Sequence, residues 1–156
     1  RLPAVMLMHS RDLVVDGLTV DDRRNVSILA IDYEFRRGRW ELLGEYARAR
    51  VDIPQPLVGL FARRQQGIYA QVNGHFCKGL FPALPHSVFT ATLRYDHVDF
   101  DTDAKGDSHR KITIGLNFRP TEDTVFKLNY VRSRATDAVP RSVPGATILF
   151  GVATYF

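Results

Sequence analysis

Apolar and polar residues alternate one by one through most of this chain, and that alternation limits the folds that it can adopt. In the segment "FTATLRYD", from Phe89 to Asp96, every odd position is apolar or aromatic, whereas the even positions are threonine, arginine and aspartate. Successive side chains of a β-strand point to opposite faces, so a period of two residues predicts a strand with one apolar and one polar face.

The same alternation recurs along the rest of the chain. It runs through segments 25–35, 40–48, 67–76, 86–100, 109–118, 123–131 and 146–156, and more weakly through 3–10. These segments predict an all-β protein of about eight strands, joined in chain order as an antiparallel up-and-down arrangement. At 156 residues the chain is expected to form one domain, spanning 1–156.

The connections between these strands alternate in length. Segments 36–39 and 119–123 are tight turns, whereas 101–108 and 136–145 are longer, polar and rich in turn residues. Transmembrane β-barrels combine short periplasmic turns with longer external loops, and the pattern matches that layout. The segment "CKGLFPALP", 77–85, should be a periplasmic turn, yet it is neither short nor very polar, and the alternation does not account for it.

Composition excludes several classes of protein. Cys77 is the only cysteine, which rules out an internal disulfide, and the formal charge of +4 is spread among acids, which argues against nucleic acid as a partner. No run approaches the roughly 18 apolar residues of a membrane-spanning helix. Spanning strands have ordinary mean hydropathy, so a membrane barrel is compatible with the composition. The chain does not begin with methionine, and we expect a mature product or a segment of a longer chain.

Aromatic residues favour a membrane barrel over a soluble one. Phe35 and Trp40 flank one tight turn, Phe118 and Phe126 bracket the other, and Phe156 ends the last strand. Barrels carry aromatic girdles at both membrane interfaces, so these residues are predicted to face lipid at the periplasmic side. The alternative is a soluble β-sandwich or lipocalin-like barrel, in which the same residues form the core.

The C-terminal half resembles a known family. The run from Leu93 to Asp137, "LRYDHVDFDTDAKGDSHRKITIGLNFRPTEDTVFKLNYVRSRATD", and the terminal "ILFGVATYF" resemble the last strands of Gram-negative outer-membrane porins, including the phosphate-selective porins. The resemblance implies an outer-membrane location and a larger barrel, of which this chain is the C-terminal part, as well as possible assembly into a homo-trimer. It also implies partners: the barrel assembly machinery, outer-membrane lipid and lipopolysaccharide, and small anions. The terminal residues resemble the assembly signal read by that machinery: Phe150, Val152, Tyr155 and Phe156.

A pore selects solutes by the charges on its wall, so the polar face holds the candidate site. Six charged residues in the polar phase are predicted to line the pore: Arg94, Lys111, Lys127, Asp96, Glu41 and Glu45. With Arg132 and Arg134 near the outer ends of their strand, the cations form a positive stripe that favours anions such as phosphate. The alternative is a charge-balanced wall, in which the acids of the first strands face the bases of the last and give a transverse field.

Other chemistries fit poorly. Asp101, Asp103 and Gly106 are spaced as in a calcium loop, but Lys105 takes a ligand position and Ile112 replaces the bidentate glutamate, so no metal site is predicted. Asp96 and His97 are neighbours on one strand and point to opposite faces, which excludes a catalytic pair of the triad type. We therefore expect no enzyme and no cofactor.

The sequence favours a passive diffusion channel for small hydrophilic solutes. Two alternatives stay open. One is a small closed barrel of eight strands, an anchor whose interior is filled by side chains. The other is a soluble lipocalin-like protein, whose segment Ile112 to Phe118 lines a binding cavity.

Overall fold

The computed structural model describes residues 4–10, 13–15, 18–20, 24–53, 62–103, 106–136 and 142–155. Their regular structure is entirely β. The strands are β1 (Ala4–Ser10), β2 (Leu13–Val15), β3 (Leu18–Val20), β4 (Arg24–Arg37), β5 (Trp40–Val51), β6 (Arg64–Phe76), β7 (Val88–Asp99), β8 (Ser108–Arg119), β9 (Thr124–Thr136) and β10 (Ser142–Thr154). None of the described residues belongs to a helix with the length and hydrophobicity needed to cross a bilayer.

Eight strands form one antiparallel sheet, and β2 pairs with β3 in a separate two-stranded ladder. Strands β4 to β10 are hydrogen-bonded in chain order, and β1 pairs with the outer side of β4. The predicted all-β, antiparallel, up-and-down arrangement is confirmed. Within the described ranges no ladder joins β1 to β10, so the sheet has two edges, and its closure into a barrel stays a prediction.

The register sorts the side chains onto two faces, because residues directly opposite each other in antiparallel strands share a face. Leu93 pairs with Ile114, and Ile114 with Tyr130, on what we call the apolar face. Arg94 pairs with Thr113 on the other, the polar face. For each strand from β4 to β9, the alternating residues that were predicted to form the apolar face are the ones that the ladders place there.

Most of the apolar face is uncovered. Among the described residues no apolar side chain is buried, and exposures are high both on the interior strand β8, at 57% for Ile114, and on the edge strand β10, at 73% for Ile148 and 71% for Phe150. A soluble sandwich would cover these side chains with a second layer. This sheet is a single layer with an exposed apolar surface.

The connections lie at the two ends of the strands, which we call the turn edge and the loop edge. The turn edge holds the two-residue turn 38–39 and the connections 77–87 and 120–123. At the loop edge, β5 ends and β6 begins, β7 ends and β8 begins, and β9 ends and β10 begins. Both predicted tight turns fall at the turn edge, as expected, but the connection 77–87 at the same edge is long, so the lengths do not alternate strictly. One boundary was wrong, because β10 begins at Ser142 and includes Pro144 and Gly145, which were assigned to a loop. Proline is tolerated here because β10 is an edge strand.

The connection 77–87, which the alternation left unexplained, is a compact loop packed on the apolar face. The Gly79 amide donates to the Ser87 carbonyl at 2.8 Å, and the Leu84 amide donates to the Phe81 carbonyl at 2.8 Å. The Phe81 ring lies 6.0 Å from the ring of Phe118 in an edge-to-face arrangement. The loop is apolar because it covers part of the sheet, a contact that its own sequence does not encode.

Candidate functional site

The six residues predicted to line a pore all lie on the polar face. Their cross-strand neighbours place them there: Glu45 pairs with Tyr69, Tyr69 with Asp96, and Asp96 with Lys111. Glu41 and Arg94 follow the same phase on β5 and β7, and Lys127 follows it on β9. The structure brings the residues to one surface, and their role in a pore stays a prediction.

One hydrogen-bonded cluster centres on Asn73. This side chain is 7% exposed, and its Nδ2 donates to Glu41 Oε2 at 2.7 Å. Its Oδ1 accepts from Thr92 Oγ1 at 2.9 Å and from Gln71 Nε2 at 3.0 Å. The other oxygen of Glu41 lies 2.6 Å from Arg36 Nε. Asn73 therefore joins β5, β6 and β7 across the polar face.

A second cluster surrounds Arg94. Its guanidinium donates from Nε to Asp96 Oδ1 at 2.8 Å and lies over the Tyr69 ring, 3.9 Å from the centroid. Lys111 Nζ lies 3.8 Å from Asp96 Oδ2, so two cations share one carboxylate. Arg94 also reaches Gln71 Oε1 at 3.4 Å, which links this cluster to the first. We call the polar face from β4 to β9 the polar wall, and the two clusters run through it continuously from β4 to β8.

The contacts on this wall match the charge-balanced alternative better than a positive stripe. Arg94 and Lys111 are paired with Asp96, and Arg36 is paired with both Glu34 and Glu41. Within the part of the chain that the structure describes, no carboxylate oxygen lies within 4.0 Å of Lys127 Nζ. The polar wall is therefore mostly neutral, with its uncompensated cation on β9. Glu34, Glu41 and Glu45 lie on β4 and β5, whereas Lys111 and Lys127 lie on β8 and β9, on the other side of β6 and β7. A transverse field across a lumen stays a prediction.

The structure corrects the placement of two arginines. Arg132 pairs with Ile112 and Ala146, and Arg134 pairs with Arg110 and Pro144, all on the apolar face. They were predicted to extend the positive stripe of the polar face. The alternation of β9 continues through Tyr130 without a bulge, so both arginines stay in the apolar phase.

An aromatic cluster covers the turn edge of the apolar face. Phe118 stacks on Phe89 with ring centroids 4.5 Å apart, and on Phe126 at 6.4 Å. Phe76 stacks on Phe89 at 5.9 Å. Phe35 and Trp40 lie on the same face of β4 and β5. The sequence identified Phe35, Trp40, Phe118 and Phe126 as an aromatic group. It placed Phe76 and Phe89 on the apolar face but did not predict that they join this group with Phe81, because that contact depends on the loop and on the register.

The residues of the predicted assembly signal are only partly described. Phe150 and Val152 lie on the apolar face of β10, paired with Leu128 and Phe126. The Tyr155 amide donates to the Asp123 carbonyl at 2.9 Å, which fixes the end of β10 beside the connection 120–123. Phe156 lies outside the described residues. Recognition of these residues by an assembly machinery stays a prediction.

The loop with calcium-like spacing uses its carboxylates for internal contacts. Asp101 Oδ1 accepts from the Asp103 amide at 3.0 Å, and Asp103 Oδ2 accepts from Arg64 Nε at 3.2 Å. The described ranges contain no group of three or more histidine, cysteine, aspartate or glutamate residues placed to hold a metal ion. Thr102 donates to the Arg64 carbonyl at 3.0 Å, so the loop is fastened to the start of β6.

This contact predicts a pH dependence of the loop. The hydrogen bond from Arg64, with the positive charges of Arg64, Arg63 and Arg50, holds the pKa of Asp103 below its ordinary value of 3.8. A lowered pKa means that the contact stabilises the loop above pH 3.8 and is lost as the pH falls through the lowered value. We expect the carbon-13 NMR titration midpoint of the Asp103 carboxyl to rise in Arg64→Gln and to move much less in Arg63→Gln. Equal shifts in the two variants would contradict the assigned pairing.

No family model matches this chain, and neither a curated protein nor a solved structure matches it significantly.

Proposed function

We propose that this chain forms an outer-membrane porin, or its C-terminal part, with the apolar face toward lipid and the polar face toward a water-filled pore. Small hydrophilic solutes would cross it passively down their gradients. The observation that carries the proposal is the pairing of an exposed apolar face with a hydrogen-bonded polar face on one sheet.

The exposed apolar face is the first support. A monomer in water rarely exposes a contiguous apolar patch larger than a few hundred Å². Here large apolar side chains are exposed from β4 to β10, from Phe35 at 59% to Ile148 at 73%. Lipid acyl chains remove the cost of that exposure, and barrels place such a band on their outer surface.

Strand length is the second support. The strands from β4 to β10 are 12 to 14 residues long, whereas strands of soluble proteins are most often about 5 or 6. At roughly 3.3 Å per residue and a tilt of about 40°, strands of this length cross a hydrocarbon core of about 30 Å. A strand of 12 residues covers about 30 Å at this tilt, and the strands of 13 and 14 residues reach a few Å into the headgroup layers.

The polar wall suits a general diffusion channel. Its amides, hydroxyls and ion pairs offer both donors and acceptors, so a hydrated solute can exchange water contacts for wall contacts. Because the cations near Asp96 are paired with it, the wall favours neither sign strongly, and we expect a weak preference for anions set by Lys127. Phosphate is one anion that such a pore would pass. Catalysis has no part in this proposal.

The proposal also includes how the barrel closes and assembles. Both β1 and β10 are edges of the described sheet, and lipid does not tolerate unpaired strand edges. Either these two strands pair with each other or further strands lie between them. We propose the second, with the barrel assembly machinery as a transient partner and a homo-trimer as the final state, because a closed barrel of eight strands leaves little room for a pore.

Conductance of the refolded chain in a planar lipid bilayer tests the channel. We expect stepwise conductance and, in a salt gradient, a small reversal potential that favours anions. Insertion without conductance would contradict a channel formed by this chain alone, and would leave either a side-chain-filled barrel or a part of a larger barrel that needs its further strands. Extraction from membranes without detergent would contradict membrane insertion and favour the lipocalin-like alternative, in which the apolar face lines a cavity.

A charge reversal tests which face lines the pore. Lys127→Glu removes the uncompensated cation of the polar wall, so we expect the reversal potential to move toward cation preference. Arg37→Glu is the matched control, because it makes the same change of charge on the apolar face, where Arg37 pairs with Trp40. We expect no shift in the control. An equal shift in both variants would overturn the assignment of the faces.

A further inference from the structure

Three arginines meet on the apolar face near the loop edge. Arg110 of β8 pairs directly with Arg134 of β9, and Arg132 lies two residues before Arg134 on the same face of β9. All three are exposed. Like charges directly opposite each other on a sheet repel, and guanidinium groups on an apolar surface lose hydration when lipid covers it. This cluster therefore needs an anion.

The described part of the protein supplies no counter-charge. Among the residues that the structure describes, no carboxylate oxygen lies within 4.0 Å of a nitrogen of Arg110, Arg132 or Arg134. On the polar face, by contrast, the Arg94 guanidinium lies 2.7 Å from Asp96. The difference between the two faces indicates that the charge opposite these three arginines comes from another molecule.

The arginines line a recess with an apolar floor. Its volume is about 250 Å³, and it is lined by Tyr95, Ile112 and Pro144 together with the three arginines, Lys111 and Ser133. Towards the turn edge the same face continues as Ile114 and then Leu116, without a charge. A ligand that fits this surface has an anionic head at the arginines and a hydrocarbon part along the apolar residues.

We propose that Arg110, Arg132 and Arg134 bind the phosphate group of an anionic membrane lipid, with its acyl chains along Ile112 and Ile114. The inference rests on the proposed function only in placing the apolar face in lipid. Arginine is suited to phosphate because its planar fork donates two parallel hydrogen bonds to the oxygens, and each such bond is charge-assisted. The recess lies at the loop edge, where the headgroup layer of one leaflet surrounds a spanning barrel.

Binding of a water-soluble lipid phosphate tests the site. The probe is dihexanoyl phosphatidic acid, titrated onto the refolded chain in detergent micelles, with the bound fraction read by native mass spectrometry. We expect it to bind at least about tenfold more tightly than dihexanoyl phosphatidylcholine, whose phosphate is screened by its own cation. Equal binding of the two lipids would overturn the proposal.

Two double variants locate the binding. Arg132→Gln with Arg134→Gln is expected to weaken phosphatidic acid binding at least about tenfold. Arg37→Gln with Arg48→Gln removes the same charge from the same face at β4 and β5, and we expect a change of less than about twofold. Equal losses of affinity in the two double variants would show that only the overall charge matters, and would contradict the proposed site.

Competition separates a lipid from a free anion. Inorganic phosphate in large excess is expected to displace little phosphatidic acid, because it makes no contact with the apolar floor. If inorganic phosphate displaced phosphatidic acid at equal concentrations, the site would bind free phosphate and not a lipid, which would overturn the proposal. If the chain binds the short lipid but gives no bilayer conductance, the lipid site is supported and the channel is not. The failure of one proposal can therefore be told from the failure of the other.

Discussion

Replacing Gly79 by alanine is expected to lower the free energy of unfolding by about 2–3 kcal/mol, because two costs coincide at this position. Gly79 has φ +61°, in the left-handed region that side chains other than glycine rarely adopt. An added Cβ would also lie 2.9 Å from the backbone oxygen of Pro85, which cannot rotate away. The loop 77–87 would have to open and withdraw Phe81 from Phe118.

Substitutions at two other glycines distinguish the cost of the left-handed backbone from the cost of the steric clash. Gly38 has φ +59° with no atom within 4 Å of an added Cβ, so Gly38→Ala should cost only about 1 kcal/mol. Gly151 lies in β10, has no left-handed φ, and is equally open, so Gly151→Ala should change stability by less than about 0.5 kcal/mol. Urea titration of each variant in detergent micelles measures the three values. Equal losses for Gly79→Ala and Gly38→Ala would show that the loop does not pack against Pro85 as described.

Replacing Asn73 by leucine is expected to lower the free energy of unfolding by about 2–3 kcal/mol, although leucine is similar in size and apolar. The substitution removes the donor at 2.7 Å from the Glu41 carboxylate and the acceptor for Thr92 and Gln71. Asn73 is 7% exposed, so water has little access to the groups left behind. Hydrogen bonds to a charged group contribute more than neutral ones, and unsatisfied partners add to the loss.

Asn117→Leu is the matched control on the same face. Asn117 pairs with Thr90 and Lys127 in the register, but its Oδ1 is buried and has no hydrogen-bond partner within the described residues. Because the same substitution removes no such bond there, we expect a change within about 0.5 kcal/mol, or a slight gain. The measurement is again urea titration in micelles. Similar losses for both variants would mean that leucine is disfavoured anywhere on this wall and that Asn73 has no special part in it.

The faces of the sheet could be predicted from the sequence because a strand's period is fixed by its backbone. Leu93, Arg94 and their neighbours lie as the alternation requires, and so do all six residues proposed for the pore wall. Arg132 and Arg134 were misplaced because their charge was given more weight than their phase. A strand without a bulge keeps its phase whatever its side chains are, and β9 keeps it to Thr136.

Contacts between distant segments could not be predicted. Asn73 and Gln71 are both amides in the polar phase of β6, and only the register with Glu41 and Thr92 makes Asn73 the centre of a cluster. The loop 77–87 looked unlike a turn because its apolar residues pack on strands from other parts of the chain. The start of β10 was missed because proline and glycine indicate a loop wherever the edge position of a strand is unknown.

The chain-ordered sheet has a consequence for how the protein forms. Each ladder from β4 to β10 joins strands adjacent in sequence, so each hairpin can form on the one before it at a low cost in loop entropy. In the proposed barrel, pairing the free edges of β1 and β10 is the long-range step, because these two edges are separated by most of the chain. We therefore expect the growing sheet to pass through an open, two-edged intermediate, whose exposed backbone groups are vulnerable to pairing with another copy until the edges are matched.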